Sequence, residues 1–191
     1  MKWCCIAVLL MLGGLWTAEP ARGEARAAAA TPAIWVNVPF VPQTKDGCGS
    51  ATMAMVMHYW DRKQGLPVAA DQDAEKIQSV LFSRAAGGIY ASSMQQYFRN
   101  VGYEAFAFHG EWSDLEHHLA LGRPLIAAIQ ASGAHGPLHY VVVVGIDSNR
   151  GYVYLNDPAQ QKMLRISREG FESEWRATHD WTLLAVPKPA H

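Results

Sequence analysis

Cys48 is the most reactive residue type in this chain, and its sequence context favours a nucleophile. It stands in the segment Gly47-Cys48-Gly49, five residues after Gln43 and directly before an apolar run. If the N-terminal region is removed as an export signal, Cys48 is the single cysteine left and cannot form an internal disulfide. It is then a buried hydrophobic residue, an intermolecular link or a reactive thiol, and its neighbours favour the reactive thiol.

The position of Cys48 relative to a predicted helix supplies the means to activate it. The apolar run over residues 49–60 predicts a buried helix, which places Cys48 at the first turn. A helix N-terminus and a neighbouring imidazolium both lower a thiol pKa, because each stabilises the thiolate. In this arrangement the backbone N–H of Cys48 and the side-chain amide of Gln43 are candidate donors to an oxyanion.

A general base must come from a distant part of the sequence, and His139 is the first candidate among the eight histidines. It opens the apolar run over residues 140–145, which predicts a buried strand that would hold the ring firmly. The alternative is that His139 is a buried core residue whose ring nitrogens are hydrogen-bonded and that has no catalytic role. His135, in a glycine-containing loop, is the rival base, although a loop would hold it less well.

An acid that orients the imidazole is the third requirement, and Asp157 is the candidate. It follows a predicted strand over residues 151–156 and precedes Pro158. If that strand pairs with the histidine strand, the two side chains lie near the same part of the sheet. Asn156 points to the opposite face by strand periodicity. The alternative is that Asp157 only starts a turn before the proline.

Other kinds of chemistry lack the required motifs. The chain has no Cys-x-x-Cys or His-Glu-x-x-His motif, and the adjacent His117 and His118 cannot share one helix face, so we expect no metal site. No phosphate-binding glycine loop occurs, and we expect no cofactor. The formal net charge of −1 gives no reason to expect a nucleic-acid partner. With 50% hydrophobic and 17% charged residues, the 191-residue chain is typical of one globular domain.

The N-terminus is typical of an export signal. Lys2 is followed by an apolar run over residues 6–16, too short to span a bilayer comfortably, and then by small residues. We predict a signal peptide over residues 1–23, an alanine-rich linker over residues 24–33 and one domain over residues 34–191. The mature chain is then periplasmic or secreted and has no integral membrane span. An uncleaved N-terminal anchor is the alternative.

The elements between these residues predict an α+β domain. Helices are expected over residues 49–60 and 71–82, from a Ser92 cap to about residue 100, and from a capping box at residues 113–116 to about residue 122. A short strand is expected over residues 34–38. The remaining strands are expected over residues 103–108, 124–129, 139–146, 151–156, 162–166 and 181–186. Helices followed mainly by antiparallel strands indicate α+β rather than alternating βαβ units.

Four stretches in this order resemble the C39-like cysteine peptidases, which are papain-like. They are VPFVPQ (residues 38–43), DGCGSATMAMV (residues 46–56), HYVVVVGID (residues 139–147) and NDPA (residues 156–159). Residues 171–175 and 181–187 also look like the closing helix and strand of that family, so the resemblance spans nearly the whole predicted domain. It implies a papain-like fold with an N-terminal helical part carrying Cys48 and a C-terminal antiparallel sheet carrying His139 and Asp157.

The same resemblance implies an activity and a role for each residue. Cys48 would be the nucleophile, His139 the general base, Asp157 its orienter and Gln43 part of the oxyanion hole. The expected reaction is hydrolysis of a peptide bond in a peptide or protein substrate. Acyl transfer through the same thioester, and a non-catalytic module that holds an extended peptide, are the two alternatives.

Overall fold

The computed structural model describes residue 1 and residues 33–69, 72–130 and 137–189 of the chain. The predicted signal peptide and linker, except for their first and last residues, lie outside the described residues. His135, the rival base, also lies outside them. No helix in the described part of the chain is long and apolar enough to cross a membrane.

Five helices and seven strands make up the described part of the domain. The helices are α1 (Cys48–Gln64), α2 (Ala74–Leu81), α3 (Ala91–Asn100), α4 (Trp112–Ala120) and α5 (Arg168–Arg176). The strands are β1 (Ile34–Trp35), β2 (Tyr103–His109), β3 (Leu125–Gln130), β4 (Leu138–Asp147), β5 (Tyr152–Asn156), β6 (Leu164–Ser167) and β7 (Trp181–Pro187).

The strands form one sheet, and each described pairing is antiparallel. The strand order is β2-β7-β3-β4-β5-β6, and the short β1 pairs with β4. Cys48 begins α1, which precedes most of the sheet. His139 lies in β4, and Asp157 directly follows the last residue of β5. The predicted α+β fold is therefore confirmed, with a helical N-terminal part and a sheet formed largely by the second half of the chain.

Helix α1 is buried along most of its length, as its apolar sequence predicts. Its residues from Gly49 to Met57 are all buried, together with Trp60 and Asp61. The helix continues past the predicted end at residue 60 and stops at Gly65, whose φ of 70° is the left-handed conformation typical of a helix C-terminus. Burial on this scale fixes the axis of α1, and so the position of its first residue.

Two predicted caps are wrong. Helix α3 begins at Ala91 with Tyr90 as the N-cap residue, so Ser92 lies inside the first turn rather than at its start. Helix α4 begins at Trp112, before the predicted box, and the Asp114 carboxylate accepts a hydrogen bond from the Glu111 backbone N–H at 2.8 Å. Each helix starts one residue earlier than its apparent cap, and in α4 the capping box is formed by Glu111 and Asp114 instead of by residues 113–116.

The β4–β5 register sets the relation between the histidine strand and the turn that carries Asp157. Asn156 pairs with Val142, and the chain leaves β5 directly after it. The Asn156 side chain is fully buried; its Nδ2 donates to the Val38 carbonyl at 3.3 Å and its Oδ1 accepts from the Met163 N–H at 3.1 Å. Asn156 therefore joins the turn to the segment that leads into α1, and Asp157 is left to face the histidine.

Candidate active site

Cys48 is the first residue of α1 and lines an open cleft. The first N–H groups of a helix have no intrahelical acceptor, so the Cys48 N–H is free of the helix ladder. Those N–H groups and the helix dipole favour negative charge at this end. The Cys48 side chain is half-buried, and in the described part of the chain it forms no disulfide. Its surroundings are suited to a thiolate.

His139, the second residue of β4, touches both other members of the predicted group. Its Nε2 lies 2.7 Å from Asp157 Oδ1. With Nε2 committed to the carboxylate, Nδ1 is the ring atom left for Cys48, to which His139 is also hydrogen-bonded. The structure thus brings together three residues that are separated by up to 109 positions, the difference between 48 and 157.

The contacts of His139 favour an ion pair with Cys48. Burial raises the pKa of the Cys48 thiol, but the hydrogen bond from His139 and the backbone N–H groups of Tyr140 and Gly49 outweigh it, so that pKa is lowered. Burial lowers the pKa of His139, but hydrogen bonds to Asp157 and Cys48 raise it to about 9. The lowered thiol pKa and the raised imidazole pKa both favour a thiolate–imidazolium pair, and the imidazolium is lost as pH rises through about 9.

Asp157 is held in place by a second set of contacts. Its Oδ1 accepts the Ala159 N–H at 2.9 Å, and its Oδ2 accepts the Gln160 side-chain amide at 2.6 Å. Burial raises the pKa of Asp157, but the hydrogen bond and charge of His139, together with these donors, lower it overall. The carboxylate both starts a turn and faces the imidazole, so the two interpretations of its sequence position are compatible.

Gln160 was not among the predicted site residues. Its side-chain amide stabilises the ionised form of Asp157 and so acts on His139 through that carboxylate. The sequence offers one signal, since an Asp before a proline often starts an Asx turn that directs the next residues back to the carboxylate. That signal does not identify which later side chain returns.

Gln43 lies beside the nucleophile and is tied to the turn of Asp157. Its backbone N–H donates to the Pro158 carbonyl at 3.0 Å. Its side chain lines the same cleft as Cys48, and its Oε1 is buried with no hydrogen-bond partner among the described residues. The unpartnered atom is an acceptor, and an unsatisfied buried acceptor costs free energy, whereas the oxyanion role proposed for Gln43 uses the amide nitrogen.

The loop that leads into Cys48 is fixed by Gln78 of α2. Gln78 Oε1 accepts a hydrogen bond from Thr44 Oγ at 2.7 Å, and its Nε2 donates to the Lys45 carbonyl at 2.8 Å. A Cβ on Gly47 would lie 2.9 Å from Gln78 Oε1, so only glycine fits between the loop and α2 without displacement. The glycine before Cys48 is thus required by close packing.

The cleft has a volume of about 390 Å³ and holds all four predicted site residues. Its other described lining residues are Asp46, Gly87, Ile129, Pro137, Leu138, Ala159, Gln160 and Glu174. Gly87 has a φ of 61°, a conformation that disfavours larger residues. No cluster of three or more potential metal ligands is present in the described ranges. A cleft open to solvent gives a substrate access to Cys48.

Comparison with known proteins gives this site a family. The profile of the Peptidase_C39 like family matches residues 35–182, a stretch that contains all four predicted site residues. The chain belongs to the C39-like peptidase family. The resemblance inferred from the sequence motifs is therefore confirmed. A search of curated proteins found no match.

Solved structures of C39-like peptidases share the fold. A Bacillus anthracis protein described as a C39-like peptidase is 18% identical, with a TM-score of 0.61 over 84% of this chain and 100% of that one. A double glycine motif protease from an AMS/PCAT transporter, solved with a leader peptide, is 24% identical, with a TM-score of 0.58 over 81% and 94%.

The fold also extends to papain-like enzymes. Procathepsin L 3 from Tenebrio molitor is 13% identical, with a TM-score of 0.59 over 84% of this chain and 71% of that one. The papain-like fold class predicted from the sequence is thus confirmed. At these identities the comparisons establish the architecture, whereas the roles of Cys48, His139, Asp157 and Gln43 stay predictions that the site geometry makes testable.

His139→Ala is expected to slow alkylation of Cys48 by iodoacetamide at pH 6. The variant loses the hydrogen bond and the charge of His139, which lower the thiol pKa, while burial, which raises it, stays. Below the thiol pKa, each unit of increase reduces the thiolate fraction tenfold, so we expect a rate at least about tenfold lower at pH 6. The measurement is site-resolved peptide mass spectrometry, because the chain also contains Cys4 and Cys5.

The matched control is His117→Ala, which removes an exposed imidazole on α4 away from the cleft. We expect this variant to be alkylated at the wild-type rate. Equal rates for wild type and His139→Ala at pH 6 would contradict the assignment of His139 as the partner of Cys48.

Proposed function

We propose that this chain is an exported cysteine peptidase that hydrolyses a peptide bond with Cys48 as the nucleophile. The single observation that carries the proposal is the hydrogen-bonded series Cys48–His139–Asp157, lining one open cleft. Membership of the C39-like peptidase family supports the reaction class. The leader-peptide complex of the double glycine motif protease supports a peptide as the substrate class.

The reaction proceeds through a thioester. The Cys48 thiolate attacks the carbonyl carbon, a C–S bond forms and the carbonyl oxygen becomes an oxyanion. The His139 imidazolium then gives its proton to the amide nitrogen, the C–N bond breaks and the amine leaves. Water next attacks the thioester and gives its proton to the now neutral His139. The acid is released, and the thiolate–imidazolium pair is restored.

Asp157 stabilises the positive charge of the imidazolium, and Gln43 stabilises the negative charge of the oxyanion. Asp157 holds the imidazole by Nε2, so that Nδ1 faces the sulfur, and it stabilises the imidazolium. The Cys48 N–H and the Gln43 amide donate to the oxyanion, which develops beside the start of α1. The hydrogen bond from the Gln43 backbone N–H to the Pro158 carbonyl supports this role, because it fixes the main chain that carries the amide.

Export rests on the sequence of residues 1–23. A basic residue, a short apolar run and small residues after it are typical of a cleaved signal, and they support a periplasmic or secreted mature chain. The described elements that carry the cleft begin at Ile34, after the residues of the proposed signal.

Cys48→Ala is expected to abolish peptide cleavage while leaving the fold intact. The side chain at this position is half-buried at the cleft and removal of one sulfur leaves α1 buried as before. The measurement is a cleavage-site profile of a proteome-derived peptide library incubated with each protein, with circular dichroism to compare their folding. The wild type is expected to give a set of cleavages that the variant lacks.

Two outcomes would contradict the peptidase proposal. Identical profiles for the two proteins would show that Cys48 is not the nucleophile. A wild type that binds library peptides but cleaves none would favour the non-catalytic module. Addition of glycinamide during the reaction separates hydrolysis from acyl transfer, since transfer attaches the amine to the new C-terminus.

Gln43→Ala is expected to lower kcat by about 10²- to 10³-fold with little change in KM, because the lost donor acts on an oxyanion that exists only in the transition state. Steady-state kinetics on one peptide from the profile provides the measurement. The control is Gln96→Ala, which removes a surface amide of α3 that donates to Asn100 of the same helix and does not line the cleft. A kcat for Gln43→Ala within twofold of wild type would exclude the oxyanion role.

A further inference from the structure

Glu174 of α5 faces the cleft but has no part in the proposed chemistry. It lines both the cleft of Cys48 and an adjoining cavity of about 230 Å³. The two spaces share Ile129, Asp157, Gln160 and Glu174. The cavity therefore adjoins the catalytic cleft, and Glu174 contributes to the wall of both.

Glu174 has no charged or hydrogen-bonding partner in the described part of the chain. The residues one helical turn away on either side carry no charge; they are Gly170, Phe171, Ala177 and Thr178. Arg168, the nearest cation before it on α5, is bound to Glu172 at 2.7 Å and lies over the Trp112 ring. The carboxylate of Glu174 is thus available to a group from outside.

Apart from the catalytic imidazole, the described charged side chains that line the cleft and the cavity are all acidic. Their described lining residues include Asp46, Asp157 and Glu174 but no lysine or arginine. Asp157 is already committed to His139 and Gln160. A cation that enters the cavity would therefore meet its counter-charge at Glu174 and no described basic side chain that repels it.

Apolar side chains form half of the described lining of the cavity, so a cation that fits there must also carry an apolar part. Its described apolar lining residues are Ile129, Leu155, Leu164 and Ile166. Gly170, one helical turn before Glu174, also lines this cavity. A volume of about 230 Å³ corresponds to about eight water molecules in the liquid. Methylene groups that end in a positive charge match these walls and the carboxylate, as lysine and arginine side chains do.

We propose that Glu174 selects a lysine or arginine side chain of the peptide substrate, whose methylene groups occupy the apolar cavity next to the catalytic cleft. This specificity rests on the proposed peptidase function, because it assigns a substrate class to the same site. Glu174 acts on binding and does not touch the reacting bond.

The test uses acetylated tripeptide chloromethyl ketones, which alkylate a reactive cysteine after binding in the substrate cleft. One position at a time carries arginine, norleucine or glutamate, and the others carry alanine. The rate of Cys48 alkylation is measured by mass spectrometry and divided by the iodoacetamide rate of the same protein. We expect that at one position of the probe arginine gives alkylation about 10- to 150-fold faster than norleucine does, and that glutamate gives the slowest alkylation. This range corresponds to the free energy of a hydrogen bond to a charged group.

Variants on α5 separate a direct role of Glu174 from a general effect of charge. Glu174→Gln is expected to reduce the arginine-to-norleucine ratio to near one, and Glu174→Lys to make glutamate the preferred residue. Glu169→Gln is the matched control, since it removes an exposed carboxylate of the same helix that does not line either space. It is expected to keep the wild-type ratio.

Each outcome decides between this proposal and the one on which it rests. The specificity proposal fails, and the peptidase proposal stands, if the arginine, norleucine and glutamate probes alkylate Cys48 at equal rates whichever position is varied. The same holds if Glu174→Gln keeps the wild-type arginine-to-norleucine ratio. If no probe alkylates Cys48 faster than iodoacetamide does, the peptidase proposal itself fails, and the specificity falls with it.

Discussion

One imidazole ring must meet two partners that come from distant parts of the chain, and the rest of the structure is arranged around that requirement. Cys48 reaches His139 from the start of a buried helix, and Asp157 reaches it from the turn after β5. The carboxylate binds one ring nitrogen and so leaves the other for the sulfur. An imidazolium held in this way stabilises a thiolate, and a thiolate is what gives a cysteine its nucleophilic power.

Three ties beyond the ring hold the helix and the sheet in register. Asn156 binds the Val38 carbonyl, and the Gln43 N–H binds Pro158, so the segment before α1 is fastened to the turn of Asp157 at two points. Gln78 fastens the last residues of that segment to α2. Because α1 is itself buried on nearly all sides, its first residue has little freedom to move away from the sheet. Precision at Cys48 therefore comes from backbone ties and packing.

The sequence predicts the parts of this structure that depend on local pattern, and misses those that depend on tertiary contact. The apolar run after Cys48 and the valine run after His139 predict α1 and β4. Both runs are continuously apolar, so the length of the first and the β-branched residues of the second distinguish helix from strand. The caps of α3 and α4 were misplaced, since several polar residues near each start could serve. Gln160 and Glu174 could not be predicted as site residues, because their neighbours in the cleft are set by how α5 and the Asp157 turn pack on the sheet.

The protonation of His139 tests the central claim most directly. NMR titration of histidine-labelled protein, with the His139 signal assigned by its loss in His139→Gln, gives the pKa of that ring among the eight histidines. The account predicts a pKa of about 9 in the wild type. It also predicts a lower value in Cys48→Ala, because the hydrogen bond and charge of the thiolate are then gone. A wild-type pKa near the ordinary value of about 6.5, unchanged in Cys48→Ala, would contradict the ion pair.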